Sequence, residues 1–136
     1  MTDSVRIFVP GVPVPKGRPR FGRGRVFTPE KTRAYEDTIR LEATLAMKGR
    51  KPLTGPVEFY MTAWLPIPRS WSTKKTGQAE REDILPTVKP DLTNLCKSAE
   101  DGCNGIVFKD DSQIVYIEAE KFYSSTPGLS IRVEPA

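Results

Sequence analysis

Asp91, Lys97 and the Asp110-Asp111 pair are the residues of this chain whose types and spacing suit hydrolytic chemistry. Histidine is absent from all 136 residues. Its absence excludes Ser-His-Asp and Cys-His triads, His-metal nucleases and most zinc hydrolase sites. Catalysis near neutral pH then falls to carboxylates, lysines or a carboxylate-bound metal ion. Pro90 biases the backbone before it away from helix, so Asp91 belongs at or next to the N-cap of the helix that follows. Capping alone explains a lone aspartate there. Lys97, however, lies on the polar face of the same helix, and Lys109-Asp110-Asp111-Ser112 reads as an acidic turn just beyond it. A turn folded back toward the helix start would bring Asp91 and Asp111 onto one divalent cation, with Asp110 as a further candidate ligand. Mg²⁺ prefers hard oxygen ligands and keeps several waters, which suits a few convergent aspartates. Lys97 would neutralise charge developing on a scissile phosphate. An Asp-Asp turn by itself is ordinarily a solvated turn; only the combination points to a site.

The charge distribution suggests a partner. Residues 1–33 hold eight basic side chains, among them Lys16, Arg18, Arg20, Arg23 and Arg25, against the two acids Asp3 and Glu30. That net +6 sits within an overall +4 and leaves −2 for the rest of the chain. A basic segment beside an acidic remainder fits a polyanion-binding surface next to a carboxylate site. A solvated basic loop is the plainer alternative. A second basic group, Lys74, Lys75 and Arg81, lies in the proline- and lysine-rich stretch 66–90, which reads as a mobile loop able to clamp DNA. Phosphate contacts by Lys16, Arg18, Arg20, Arg23, Arg25, Lys74 and Lys75 would position DNA without reading its sequence.

Positioning these residues takes a single α+β domain, which is what 136 residues accommodate. Arg6-Ile7-Phe8-Val9 reads as a first strand, ended by prolines. Thr28-Pro29-Glu30 is a helix start: an N-cap hydroxyl, a proline at the first helical position and an acid near the positive end of the dipole. That helix should run to about Met47 with Tyr35, Ile39, Leu45 and Ala46 as its apolar stripe. Residues 57–64 are β-prone, with Val57, Phe59, Met61 and Ala63 on one face. Leu92, Leu95, Cys96, Ala99 and Cys103 fall at i, i+3, i+4, i+7 and i+11, one buried stripe for a helix from Leu92 to about Asn104. Its opposite face carries Thr93, Asn94, Lys97, Glu100, Asp101 and Asn104. Two turns of helix hold Cys96 and Cys103 roughly 10 Å apart, beyond disulfide reach, so both read as reduced core residues. Ile106-Val107-Phe108 reads as a short buried strand. Gln113 to Phe122 reads as another, with Val115, Ile117 and Ala119 inward, and Leu129 to Val133 as the last. These elements predict two main helices on a mixed, mainly antiparallel sheet. No apolar run has the length of a membrane span and nothing resembles a signal peptide, so a cytoplasmic protein without a membrane partner is expected.

The stretch beginning at Lys89, KPDLTNLCKSAEDGCNGIVFKDDSQI, closely resembles the signature of RusA-type Holliday junction resolvases. That signature has an aspartate at the helix start, a downstream lysine, an Asn-Gly after the helix and a terminal Asp-Asp-x-Gln. The basic run PVPKGRPRF, followed by Val26-Phe27-Thr28-Pro29-Glu30-Lys31-Thr32-Arg33-Ala34-Tyr35-Glu36, looks like phage and prophage members of the family. The resemblance implies a RusA-like fold and a homodimer with two active sites flanking a basic surface. It also implies an Mg²⁺-dependent endonuclease, with Mn²⁺ able to substitute, that resolves four-way DNA junctions by paired nicks in recombination and repair. No organic cofactor is implied. Residue by residue, it assigns Asp91 and Asp111 to metal binding and Lys97 to catalysis. The family pattern has a further aspartate two positions after the first, where this chain has Thr93, a much poorer Mg²⁺ ligand. Glu100, seven residues on and only about 20° around the helix from Thr93, is the candidate to restore that carboxylate. The main alternative is a branched-DNA-binding protein of the same fold that cuts weakly or not at all. A nuclease acting on flaps, RNA or single strands is another, and a structural domain with an incidental acidic turn is a third.

Overall fold

The structure, a computed structural model, describes residues 3–17, 20–22, 25–27 and 30–136, with the backbone alone for the two three-residue strands. In chain order its elements are β1 (Val5–Pro10), β2 (Arg20–Gly22), β3 (Arg25–Phe27), α1 (Glu30–Met47), β4 (Val57–Pro66), α2 (Thr73–Glu80), α3 (Leu92–Cys103), β5 (Ile114–Ser124) and β6 (Gly128–Pro135). β2 and β3 pair as a small antiparallel ribbon. The main sheet has the order β1-β6-β4-β5. β6 lies antiparallel to both β1 and β4, whereas β4 and β5 run parallel, so the sheet is mixed and mainly antiparallel as expected.

Strict alternation along β4 buries Val57, Phe59, Met61, Ala63 and Leu65 on one face, joined there by Val5, Ile7 and Val9 from β1 and by Leu129, Ile131 and Val133 from β6. α1 lies over β1, α3 lies over β4 and β5, and the two helices pack on each other. α3 turns Leu95, Cys96, Ala99 and Cys103 inward, as its spacing predicts, and both cysteines are free thiols in the core. No helix among the described residues is long and apolar enough to cross a membrane.

Several expectations are corrected. The buried stripe of α1 is Tyr35, Ile39, Ala43 and Met47, while Leu45 is 62% exposed. Leu45 lies six residues beyond Ile39, about 120° around the helix, and so points away from the core. The Thr28-Pro29 helix start falls outside the described residues. Ile106 to Phe108 is not a strand but a turn: Gly105, at φ +79°, reverses the chain and its N–H donates to Phe108 O at 2.8 Å. Val107 and Phe108 are nonetheless fully buried. The stretch 66–90, expected as a loop, contains α2, whose N-cap Ser72 accepts from Lys75 N at 3.1 Å. Only Ala79 of α2 is buried, so the helix leaves no apolar stripe to read in the sequence. On β5, Val115 and Ile117 are 64% and 49% exposed rather than inward. Ile117 pairs in register with Phe59, but β5 is the edge strand of the sheet and Ile117 there stays half open to solvent.

The helix–helix contact generates a prediction. A Cβ on Gly102 of α3 would lie 2.5 Å from Ile39 Cγ2 and 2.6 Å from Ile39 Cβ. Overpacking costs about 1–3 kcal/mol, against a gain of about 1 kcal/mol for replacing a helical glycine by alanine. Gly102→Ala should therefore destabilise the protein in urea unfolding. Gly77→Ala in α2, where a Cβ meets only the mobile end of Arg81 at 3.2 Å, should stabilise it. An equal gain from both would contradict the close packing of α1 on α3.

Candidate functional site

α3 carries one flank of the site, and its buried stripe sets which way that flank faces. Asp91 is the N-cap residue, with the extended backbone (φ −67°, ψ 138°) that such a position takes, yet its side chain makes no capping hydrogen bond. Its carboxylate is exposed and free of local duty among the described residues. The chain leading into α3 is tied to the sheet edge by Lys121 of β5, whose ammonium donates to Val88 O at 3.0 Å and Pro90 O at 3.1 Å.

Two turns along, Lys97 meets the acidic turn. Its Nζ lies 3.2 Å from Asp111 Oδ2 and 3.2 Å from Asp101 Oδ1. Asp101 is the least exposed of the three and reaches a second cation with its other oxygen, at 3.0 Å from Lys16 Nζ. Lys16 in turn lies 2.7 Å from the buried Glu36 of α1. The result is a chain of alternating charge, Glu36–Lys16–Asp101–Lys97–Asp111. One exposed ion pair contributes about 0.2–1 kcal/mol, less than the roughly 2 kcal/mol of rotamer entropy in a lysine side chain. Asp111 alone would not fix Lys97, but Asp101 adds a second contact from a half-buried position. Partial burial works against the Lys97 ammonium, and hydrogen bonds to Asp111 and Asp101 more than offset it, so its pKa lies above the ordinary lysine value.

Asp111 opens a single 3₁₀ turn, Asp111–Gln113, which a reciprocal cap holds in place. Asp110 accepts from Ser112 N at 3.0 Å, and hydrogen bonding from Ser112 keeps its carboxyl below the ordinary carboxylate pKa. Gln113 Oε1 accepts from Lys109 N at 2.8 Å and Asp110 N at 3.1 Å. Its Nε2 donates to Leu53 O at 3.0 Å and Gly55 O at 2.9 Å. One amide thus spends its full hydrogen-bonding capacity on clamping the Asp-Asp turn to the loop before β4. Glu100 is half-buried on α3. Burial above all raises its pKa; Lys97 opposes the rise, while Asp111 and Asp101 add to it, which places Glu100 in the same electrostatic neighbourhood.

Of the residues singled out in the sequence, the structure brings Lys97 and Asp111 into contact, and Glu100 lies half-buried on the same helix as Lys97. Asp91 stands at the start of the same helix, and Asp110 is occupied in the cap. Thr93 is exposed. Lys16 is taken up by Glu36 and Asp101, and the Lys75 ammonium sits 4.1 Å from the centre of a Trp71 ring. Lys74 is exposed on α2, and Arg81 pairs with Asp83. Arg18 and Arg23 lie outside the described residues, and only the backbone of Arg20 and Arg25 is described. Two contributors went unassigned in the sequence. Asp101 had a signal in its i+4 spacing from Lys97, and Gln113 in the capping-box spacing Asp-x-x-Gln.

Among the described residues no three metal-binding side chains already stand as a cage. The donors present are nonetheless hard carboxylate oxygens, and Mg²⁺ ordinarily takes one or two carboxylates, waters and substrate phosphate. Asp91 and Asp111 fit that chemistry.

Comparison with known proteins identifies the family. Residues 10–134 match the family model described as endodeoxyribonuclease RusA. A Bacillus subtilis (strain 168) protein, "Uncharacterized protein YqaN", is 34% identical over 137 residues, covering 96% of each chain. The family match spans nearly all of the chain, including Asp91, Lys97 and Asp111 and the turn that holds the last of them, so the chain belongs to the RusA endodeoxyribonuclease family.

Proposed function

We propose that this protein is an Mg²⁺-dependent endonuclease that resolves four-way DNA junctions by paired nicks, with Mn²⁺ able to replace Mg²⁺. The observation that carries the reading is the Lys97–Asp111 contact on a helix opened by Asp91, an N-cap residue whose carboxylate is left without a capping bond. Hydrolysis adds a water oxygen to phosphorus and expels a deoxyribose oxygen. A divalent cation, when bound, supplies Lewis acidity at that phosphate. Asp91 and Asp111 would hold the cation. Glu100, half-buried on α3 and about 20° around the helix from Thr93, would replace the carboxylate missing there, directly or through a water. A lysine ammonium is charged through neutral pH at its ordinary pKa, so Lys97 would serve as a fixed cation beside the scissile phosphate rather than as a base. Asp110 has its cap to hold and contributes by orienting the turn.

The basic run suits phosphate binding. Its approach, Val14 to Gly17, is stitched to the site helix: Lys16 N donates to Asn94 O at 3.0 Å and Ser98 Oγ donates to Val14 O at 2.9 Å. Gly17 N donates to Thr32 Oγ1 of α1 at 2.9 Å. In sequence, Arg18, Arg20, Arg23 and Arg25 follow directly on this anchored segment, and Lys74 is exposed on α2. A homodimer fits the two-fold demand of paired nicks, and the apolar edge at Val115 and Ile117 is the surface we assign to it.

The thinner donor set at Thr93 favours one second reading, a branched-DNA-binding protein that no longer cuts. A synthetic four-way junction with Mg²⁺ separates the two. Wild type is expected to make paired symmetric nicks and Asp91→Asn none, with the stability of that variant within about 0.5 kcal/mol of wild type, as for an exposed substitution. Glu100→Gln should lower the cutting rate about 10–100-fold, as supporting metal-site carboxylates do. Junction binding without cutting by every protein would establish the second reading, and faster cutting of flaps or single strands would displace the junction as substrate. In sedimentation, Ile117→Lys should convert dimer to monomer; a wild-type monomer at working concentrations would remove the dimer from the account.

A further inference from the structure

We propose that Asp101 is a positioning residue of this nuclease site, a second carboxylate that, with Asp111, holds the Lys97 ammonium in place. The inference rests on the reading of Lys97 and Asp111 as a nuclease pair and adds a residue to it.

Asp101 divides its carboxylate between two lysines, Oδ1 to Lys97 at 3.2 Å and Oδ2 to Lys16 at 3.0 Å. Its side chain is 17% exposed, against 48% for Lys97 and 28% for Asp111, so it is the anchored end of the Lys97 contact. Anchoring comes from both sides. Lys16 is pinned to Glu36 of α1, and Arg40 of α1 donates from Nη2 to the backbone carbonyl of Asp101 at 3.1 Å, satisfying a group in the last turn of α3. The pair does not read as mere helix stabilisation. The cation precedes the acid in this i,i+4 spacing, the less favourable order on a helix.

The geometry has a chemical consequence. Lys97 touches Asp111, which would also serve a divalent cation, so ammonium and cation draw on the same carboxylate. A second carboxylate facing Lys97 keeps the ammonium beside Asp111 without leaving Asp111 as its sole partner. With Asp101 neutral, the long lysine side chain would either collapse fully onto Asp111 or swing into solvent. In either position it would leave the place where it meets the phosphate.

The test is a double-mutant cycle on single-turnover junction cleavage, with junction affinity measured in Ca²⁺ and thermal melts recorded for each protein. Asp101→Asn should slow cleavage about tenfold and change affinity less than about threefold, whereas in a Lys97→Met background the same change should cost almost nothing, because coupled residues are non-additive. Asp101→Glu, which keeps the charge, should recover most of the loss. In the metal-free protein, NMR relaxation of the lysine ammonium groups should show Lys97 freed by Asp101→Asn, a readout independent of cleavage. A full tenfold loss repeated in the Lys97→Met background, or a Lys97 ammonium equally mobile with and without Asp101, would overturn the proposal. An Asp101→Asn chain that fails to fold passes the same criteria to Asp101→Ser. Lys97→Met that cuts like wild type would instead sink the underlying reading of Lys97.

Discussion

The burial of one face of α3 is the constraint on which the rest depends. Leu95, Cys96, Ala99 and Cys103 must face the sheet and α1, and Gly102 permits the close approach of Ile39. With that rotation fixed, the polar positions are set on the opposite face of the helix. Lys97 reaches the acidic turn, Asp101 faces Lys97 and Lys16, and Asp91 is left at the helix's positive end, where a negative charge is stabilised by the macrodipole. The site is thus a by-product of core packing on one helix, completed by a turn that Gln113 locks from the other side.

Electrostatics then decides what the packed framework can hold. Glu36, Lys16, Asp101, Lys97 and Asp111 alternate in sign across two helices and a turn, which lets several charges share a half-buried region without a large uncompensated field. Glu100, between Lys97 and Asp101 on α3, is half-buried, and burial above all raises its pKa. A carboxylate in this condition gains most from an additional positive charge nearby. The same network ties the basic N-terminal run to the site: Lys16 introduces that run, yet spends its own charge inside the protein.

Much of this was legible in the sequence because it depends on local spacing. The α3 stripe follows from 3.6-residue periodicity, β4 from strict alternation, and the N-cap position of Asp91 from the proline before it. The exceptions have physical causes. Leu45 and Ile117 are apolar yet exposed, since hydrophobicity says what can be buried while only the tertiary arrangement says what is covered. α2 is held by its Ser72 cap and by Trp71 against Tyr123 rather than by an apolar stripe. Asp101 was visible as a polar-face residue, but its importance comes from Lys16, eighty-five positions away in sequence. Lys16 itself read as a phosphate contact because its neighbours are basic; the acids that claim it lie on two other elements.

Asp91 and Asp111 make no direct contact with each other, so a shared cation is what would join them. Crystals grown with Mn²⁺ test this most directly, through anomalous difference density collected at the manganese edge. The account predicts one peak ligated by the carboxylates of both Asp91 and Asp111, with Lys97 beside it. A fully occupied peak elsewhere on the protein, with those two carboxylates apart and unliganded, would contradict it.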